Sequence, residues 1–485
     1  MTPSLAVFNW LQAPDYWLSR LIISRGVGAI YLLAFLVAFN QFPALLGERG
    51  LLPAPEFIRQ IPFRRIPSLF HLGYSDLLLR AAAGIGMLLS FAIVVGLVDG
   101  SPLIIWMMVW LVLWVLYLSI MNIGQIFYGF GWESLLCEAG FFAIFLGPAS
   151  VAPPIVVIWM FRWLLFRVEF GAGLIKLRGD PCWRDLTCLY YHHETQPMPN
   201  PLSWFFHHLP RPLHKVEVAG NHFAQLAAPI GLAFPQPISD VAGLVIVLTQ
   251  LYLIVSGNFS WLNWITIFCA VSAFDDRALS LILPVHVPAT FAEPFWFQAV
   301  LIVLLIVILI LSYAPARNLL SRRQLMNFSF NPLHLVNAYG AFGSITRVRY
   351  EVTVEATMAS VLGPATEWVE YEFKGKPTNL RRLPPQIAPY HLRLDWLMWF
   401  AAMSSPREHT WFIPFLIKLL ENDRPTLKLL KRNPFAGKSP SYVRARLYRY
   451  RFSTPAERRA TKQWWMRQLV GDYVPPVRLR PDQQG

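Results

Sequence analysis

PPIVVIWMFRWLLFRVEFGAGLIKLRGDPCWRDLTCLYYHHETQPMPNP, residues 153–201, joins an apolar run to a dense polar cluster. The first half has the length and composition of a helix that crosses a bilayer, which needs about 20 apolar residues. Yet it carries Arg162, Arg167 and Glu169, and it ends on Lys176. The second half packs two cysteines, two adjacent histidines and a proline-spaced tail against the end of that run. Ionisable groups inside a span are costly and face a protein interior or a wet cavity, paired with one another. The stretch therefore points to a membrane protein with a polar site at the edge of the lipid.

The rest of the chain agrees. It has 485 residues, 55% hydrophobic and only 14% charged, against roughly 25% charged in soluble domains. Apolar windows recur at 24–46, 78–98, 103–121, 132–147, 153–175, 223–236, 239–257, 260–274 and 296–314. About six are long enough to cross and nine result if all are counted; 132–147, 223–236 and 260–274 are short enough to be re-entrant or buried. The expected fold is a polytopic α-helical membrane protein with a C-terminal mixed α/β, β-rich extramembrane domain. The first residues lack the pattern of a removable signal peptide, so the first span is expected to serve as an uncleaved insertion signal.

Charge divides the chain. Residues 1–316 hold 15 basic and 16 acidic side chains, residues 317–485 hold 27 and 12. Residues 1–316 are expected to form the multi-pass domain, with polar loops at 47–77 and 176–222. Residues 317–475 are expected to form a basic extramembrane domain, followed by a frayed tail at 476–485. No nucleic-acid motif accompanies the basic charge, so a solvated or lipid-facing role is expected, with membrane lipid as a partner. The alternation in 346–357 and 367–374 and the arginine-studded 442–452 predict strands. Residues 395–403 and 411–422 predict helices, the second starting near Pro414.

Arg162 and Glu169 stand seven apart on one helical face, which fits an ion pair or a shared cavity as well as a structural salt bridge or snorkelling. A desolvated Lys176 is a usable base. Cys182 and Cys188 are open to three readings: a local disulfide, packed thiols, or thiol exchange. Six of the eleven histidines fall between 192 and 222. Their spacing does not fix three or four converging ligands, so no metal is expected, and no cofactor.

GLIKLRGDPCWRDLTCLYYHHETQPMPNPLSWFFHHLP (173–210), NHFAQLAAP (221–229), VSGNFSWLNW (255–264), LVNAYGAFGSITRVRYEV (335–352), EYEFKGKP (370–377), APYHLRLDWLMWFAA (388–402) and YRYRFS (448–453) closely resemble the lipase maturation factor family. The likeness runs in order from about residue 20 to 475. It implies a multi-pass membrane chaperone or assembly factor whose partners are exported clients such as dimeric secreted lipases. It implies residence in the endoplasmic reticulum membrane in a eukaryote or the plasma membrane in a bacterium. Client contact is then expected on the 176–222 loop, through Trp183, Arg184, Asp185, Tyr190 and Glu194. The same is expected on the tail, through Asn337, Tyr339, Arg393, Asp395 and Trp396. A more distant likeness, FGAGLIKLRGDPCWRD (170–185), is similar to the membrane domain of vitamin K-dependent γ-carboxylases. It implies the alternative of a membrane enzyme with Lys176 as base in a lipid-accessible cavity beside Arg162 and Glu169. Transport is disfavoured, because no inverted repeat is visible.

Overall fold

Five helices in the computed structural model are long and apolar enough to cross a membrane. They are Trp17–Leu46, Asp76–Val95, Leu103–Asn122, Ile238–Ser256 and Phe295–Leu320. The structure describes residues 11–435 and 437–479. The leader expectation for the first ten residues and the end of the expected frayed tail fall outside them. Burial sorts the five. The apolar window of the first is 61% buried and that of the last 22%, so the first is the centre of the bundle and the last presents its side chains to lipid. Local chemistry sets the ends: the Ser75 hydroxyl accepts from Leu78 N–H, and Gly96, at φ 87°, closes the same helix in the left-handed conformation.

The opening stretch folds as Ile155–Arg178, 24 residues long. It is long enough to span, but its five charged side chains keep it out of the purely apolar set, and all but Arg178 are buried. The short windows resolve differently. Residues 132–147 give the buried Gly131–Ala143 helix. Residues 223–236 break into a π turn at Phe223–Ala227 and one α turn at Ala228–Gly231, too short to cross. The 47–77 loop is ordered: the Asn122 amide donates to Pro67 O at 2.8 Å and the Ser68 hydroxyl to Ser119 O at 2.9 Å.

Beyond Leu320 the chain builds a four-stranded antiparallel sheet of order β2-β1-β3-β4. The strands are β1 Arg349–Thr357, β2 Val369–Glu370, β3 Tyr442–Phe452 and β4 Trp465–Val477. Helices Arg393–Ala401 and Phe412–Leu420 accompany it. Pro414 lies in the first turn of the second, where its missing N–H costs nothing. The strands depart from their sequence pattern in two ways. β1 is buried on both faces, because its polar face is covered by ion pairs: Glu351 with Arg349 and with Lys376 at 2.9 Å, and Glu355 with Arg444 at 2.7 Å. The 367–374 strand shrinks to two residues, and Tyr371 and Phe373 leave it for the core. β4 gives no clean sequence alternation because it is an edge strand interrupted by Gly471, Pro475 and Pro476, the prolines being tolerated because the ladder there is one-sided. One contiguous set of buried apolar side chains runs from the helices into this sheet layer.

Candidate functional site

The Ile155–Arg178 helix is built to carry another chain segment on its face. A Cβ placed on Gly171 would meet Tyr339 O at 2.5 Å, and one on Gly179 would meet the Gly343 carbonyl group. Glycine at both positions lets the backbone of 339–343 lie directly on the helix. Between this helix, Ile238–Ser256, and the segments 339–346 and 396–403 opens a cavity of about 1300 Å³. Lys176, Glu169, Gln250, His192, Phe342 and Trp399 are among its lining.

The charges of the helix are each held in a different way. Arg162 does not pair with Glu169. It donates to the carbonyls of Ser272, Leu232 and Ala273 at 2.9–3.2 Å and to the Tyr16 hydroxyl at 3.0 Å. Arg162 is also not on the cavity wall, so of the three only Glu169 and Lys176 line the cavity. Glu169 accepts from the Gln250 amide at 2.6 Å, whose oxygen takes the Asn263 amide at 2.7 Å. Lys176 Nζ donates to Gln225 at 2.8 Å and Asn221 at 3.4 Å, and stands 4.8 Å over the Trp183 ring. Those two oxygens and the ring face hold Nζ in place against the cavity wall. The ion pair of the helix is Arg167 with Glu138, visible in sequence only as an unassigned arginine.

The loop begins at Asp180, which accepts from Cys182 N–H and takes both arms of Arg347 at 2.7 and 2.8 Å. The Arg347 guanidinium holds its carboxyl down to about 2. Cys182 and Cys188 are joined in a disulfide, with Cα atoms 4.8 Å apart. Serine at both positions is expected to cost about 2 kcal/mol, the chain-entropy value for so short a loop. The check is the melting temperature of the detergent-solubilised chain. Dithiothreitol should lower it in the parent and not in the double variant.

Of the residues expected to meet a client, only Arg184 and Asp185 are exposed, with Tyr190 half-buried beneath Arg211. Trp183 is 3% exposed and donates its indole N–H to Phe342 O at 2.8 Å. Glu194 accepts from Phe452 N–H at 2.7 Å, fastening the loop to the end of β3. Asn337, Tyr339, Arg393, Asp395 and Trp396 are all buried, so burial removes them from direct contact. The Asn337 amide and Tyr339 hydroxyl donate to Glu138 at 3.0 and 2.9 Å. Arg393 donates to Glu133 at 2.9 Å. Asp395 accepts from Gly375 N–H at 2.6 Å, and burial pushes its carboxyl up to about 6. Trp396 packs edge-on against Trp132. Asn337, Tyr339, Arg393 and Trp396 lock the tail onto the helices, and Asp395 ties one tail segment to another. Glu133 and Glu138, missed in the sequence, are the two carboxylates that receive this lock, and both lie in Gly131–Ala143.

The fold also gathers residues that spacing kept apart: His193, His214 and Glu217 converge beside the cavity.

Two family profiles match the chain: "Lipase maturation factor transmembrane domain" over residues 18–281 and "Lipase maturation factor C-terminal domain" over 335–475. The chain is 42% identical to lipase maturation factor 1 of Bos taurus, over 98% of this chain and 91% of that protein. It is 40% identical to the Homo sapiens protein of the same name, over 97% and 89%. With lipase maturation factor 2 of Homo sapiens the identity is 28%, over 95% and 83%. No solved structure matches the chain.

Proposed function

The chain belongs to the lipase maturation factor family, and from that premise we propose that it is an integral membrane assembly factor that brings exported lipases to their active, assembled form. The observation that carries this reading is the match to lipase maturation factor 1 at 42% identity over 98% of the chain. Both family regions are represented, in order. The clients are lipases released across the membrane in which the factor sits. That membrane is the endoplasmic reticulum in a eukaryotic cell and the plasma membrane in a bacterial one.

The loop and tail face the oxidising side of that membrane. A disulfide persists in such compartments, and Cys182–Cys188 lies in the loop. Asp180–Arg347, Glu194–Phe452 and a Trp204 indole bond to Ser453 O at 2.8 Å join the sheet to the loop, which supports the same side for both. The client surface is then the exposed rim of the loop, at Arg184 and Asp185, with the basic outer face of the tail. The domain division expected from charge, near residue 317, fits this arrangement: a membrane part that anchors and a tail that is presented.

Complementation tests the reading. The chain is expressed with a dimeric secreted lipase in cells lacking their own lipase maturation factor 1, and lipase activity is measured in the medium. Restored activity supports it. Full-length, folded, membrane-inserted protein that restores none overturns it. Lys176→Ala is expected to retain rescue at unchanged abundance; abolished rescue at unchanged abundance would favour the membrane enzyme.

A further inference from the structure

Three side chains of metal-ligand type meet where two short helices cross. His193 comes from Leu189–Thr195, and His214 and Glu217 stand one turn apart in Arg211–His222. Their ligand atoms all lie within 4.8 Å of one another. Glu217 Oε2 is 2.9 Å from His214 Nδ1 and 3.8 Å from His193 Nε2. Ligands at 2.0–2.1 Å from a tetrahedral zinc stand about 3.3 Å apart, and the two spacings bracket that value. The third pair, His193 with His214, lies within 4.8 Å.

The surroundings hold these atoms in place. The two imidazoles are 3% and 2% exposed. His193 Nε2 is buried with no hydrogen-bond partner, although a buried polar nitrogen left unmatched costs about 1–3 kcal/mol. The His193 ring is stacked on Phe206 at 5.5 Å. The Tyr252 hydroxyl donates to Glu217 Oε1 at 2.7 Å, which takes up one carboxylate oxygen and leaves Oε2 turned to the histidines. An outer hydrogen bond of this kind orients a metal-binding carboxylate.

We infer that His193, His214 and Glu217 form a binding site for one divalent transition-metal ion, with zinc the ion their donors suit best. Two imidazole nitrogens and one carboxylate oxygen are a zinc donor set, whereas calcium and magnesium take oxygen ligands. His193 and Glu217 line the large cavity, so the site borders it. The ion ties the two short helices together and, through Tyr252, fixes them to the Ile238–Ser256 helix. This adds a constraint to the same loop that the disulfide closes at its other end.

The full-length chain tests this after purification in mild detergent without a histidine tag, chelator treatment, and titration with Co²⁺ and then Zn²⁺. The expected result is one cobalt per chain, with visible absorption bands that zinc abolishes by displacement. His214→Ala and Glu217→Ala lose stoichiometric uptake, and His208→Ala, outside the set, keeps it. Tyr252→Phe keeps all three ligands and weakens binding by about 10- to 100-fold. Parent protein that takes up no stoichiometric metal overturns the site, as does unchanged uptake in folded His214→Ala. Should the ligand variants aggregate, Tyr252→Phe decides, and unchanged affinity in it overturns the site.

Discussion

Replacing Arg393 with methionine is expected to cost about 3–5 kcal/mol of stability, the penalty for stripping a buried charge of its partner. Arg393 is fully buried. Its guanidinium donates to Glu133 Oε1 at 2.9 Å and to Phe127 O at 2.7 Å, and stands 3.4 Å over the Tyr128 ring. Without it, the Glu133 carboxylate keeps, among the described residues, the Tyr117 hydroxyl and a His391 ring nitrogen 3.5 Å away. Folded domains are stable by about 5–15 kcal/mol, so a loss of this size removes between a fifth and all of the margin. Thermal unfolding in mild detergent measures it. Adding Glu133→Gln should restore part of the loss, because the stranded charge then disappears, and the two changes should couple by about 0.5–3 kcal/mol. Strictly additive losses would show that the pair contributes nothing beyond its separate contacts.

Glu138→Ala is expected to do comparable damage, about 3–5 kcal/mol, and to do it at a different place. Five donors converge on this carboxylate: two from Arg167, the backbone and side-chain N–H groups of Asn337, and the Tyr339 hydroxyl. Its loss strands Arg167, whose other bond to the Asn337 carbonyl at 2.8 Å cannot balance the charge. The 335–343 segment should then lift from the helix face that Gly171 and Gly179 leave bare. Hydrogen exchange reads this directly: amides of 335–343 should exchange faster in Glu138→Ala, with little change in β1 and β3. Tyr339→Phe removes one donor of the five and is expected to cost about 1 kcal/mol, a graded control for the same contact.

These two locks explain why the tail residues singled out in the sequence are not where a client could touch them. Asn337, Tyr339 and Arg393 sit in long distinctive strings, and such strings are as well accounted for by a demanding interior as by a working surface. An arginine read in a basic tail gives no sign that its partner is Glu133, 260 residues earlier. Glu133 and Glu138, read within an apolar window, look like costs without a purpose until the tail is laid against them.

The amino-acid sequence by itself determined the class of molecule. Length and apolarity set the membrane helices, since a bilayer fixes how long an apolar run must be, and the family likeness, spread over the whole chain, set the kind of protein. Local pattern also located β1, β3 and the two tail helices, because hydrophobic periodicity is a short-range signal. Only the tertiary structure decided who partners whom. Arg162 turned to backbone carbonyls instead of Glu169, Lys176 to two amides, and the tail to carboxylates buried among the helices. Three metal-type ligands came together from positions 193, 214 and 217. Pairings of this kind depend on which buried charges must be neutralised once water is excluded. That demand arises only when distant segments are packed against each other.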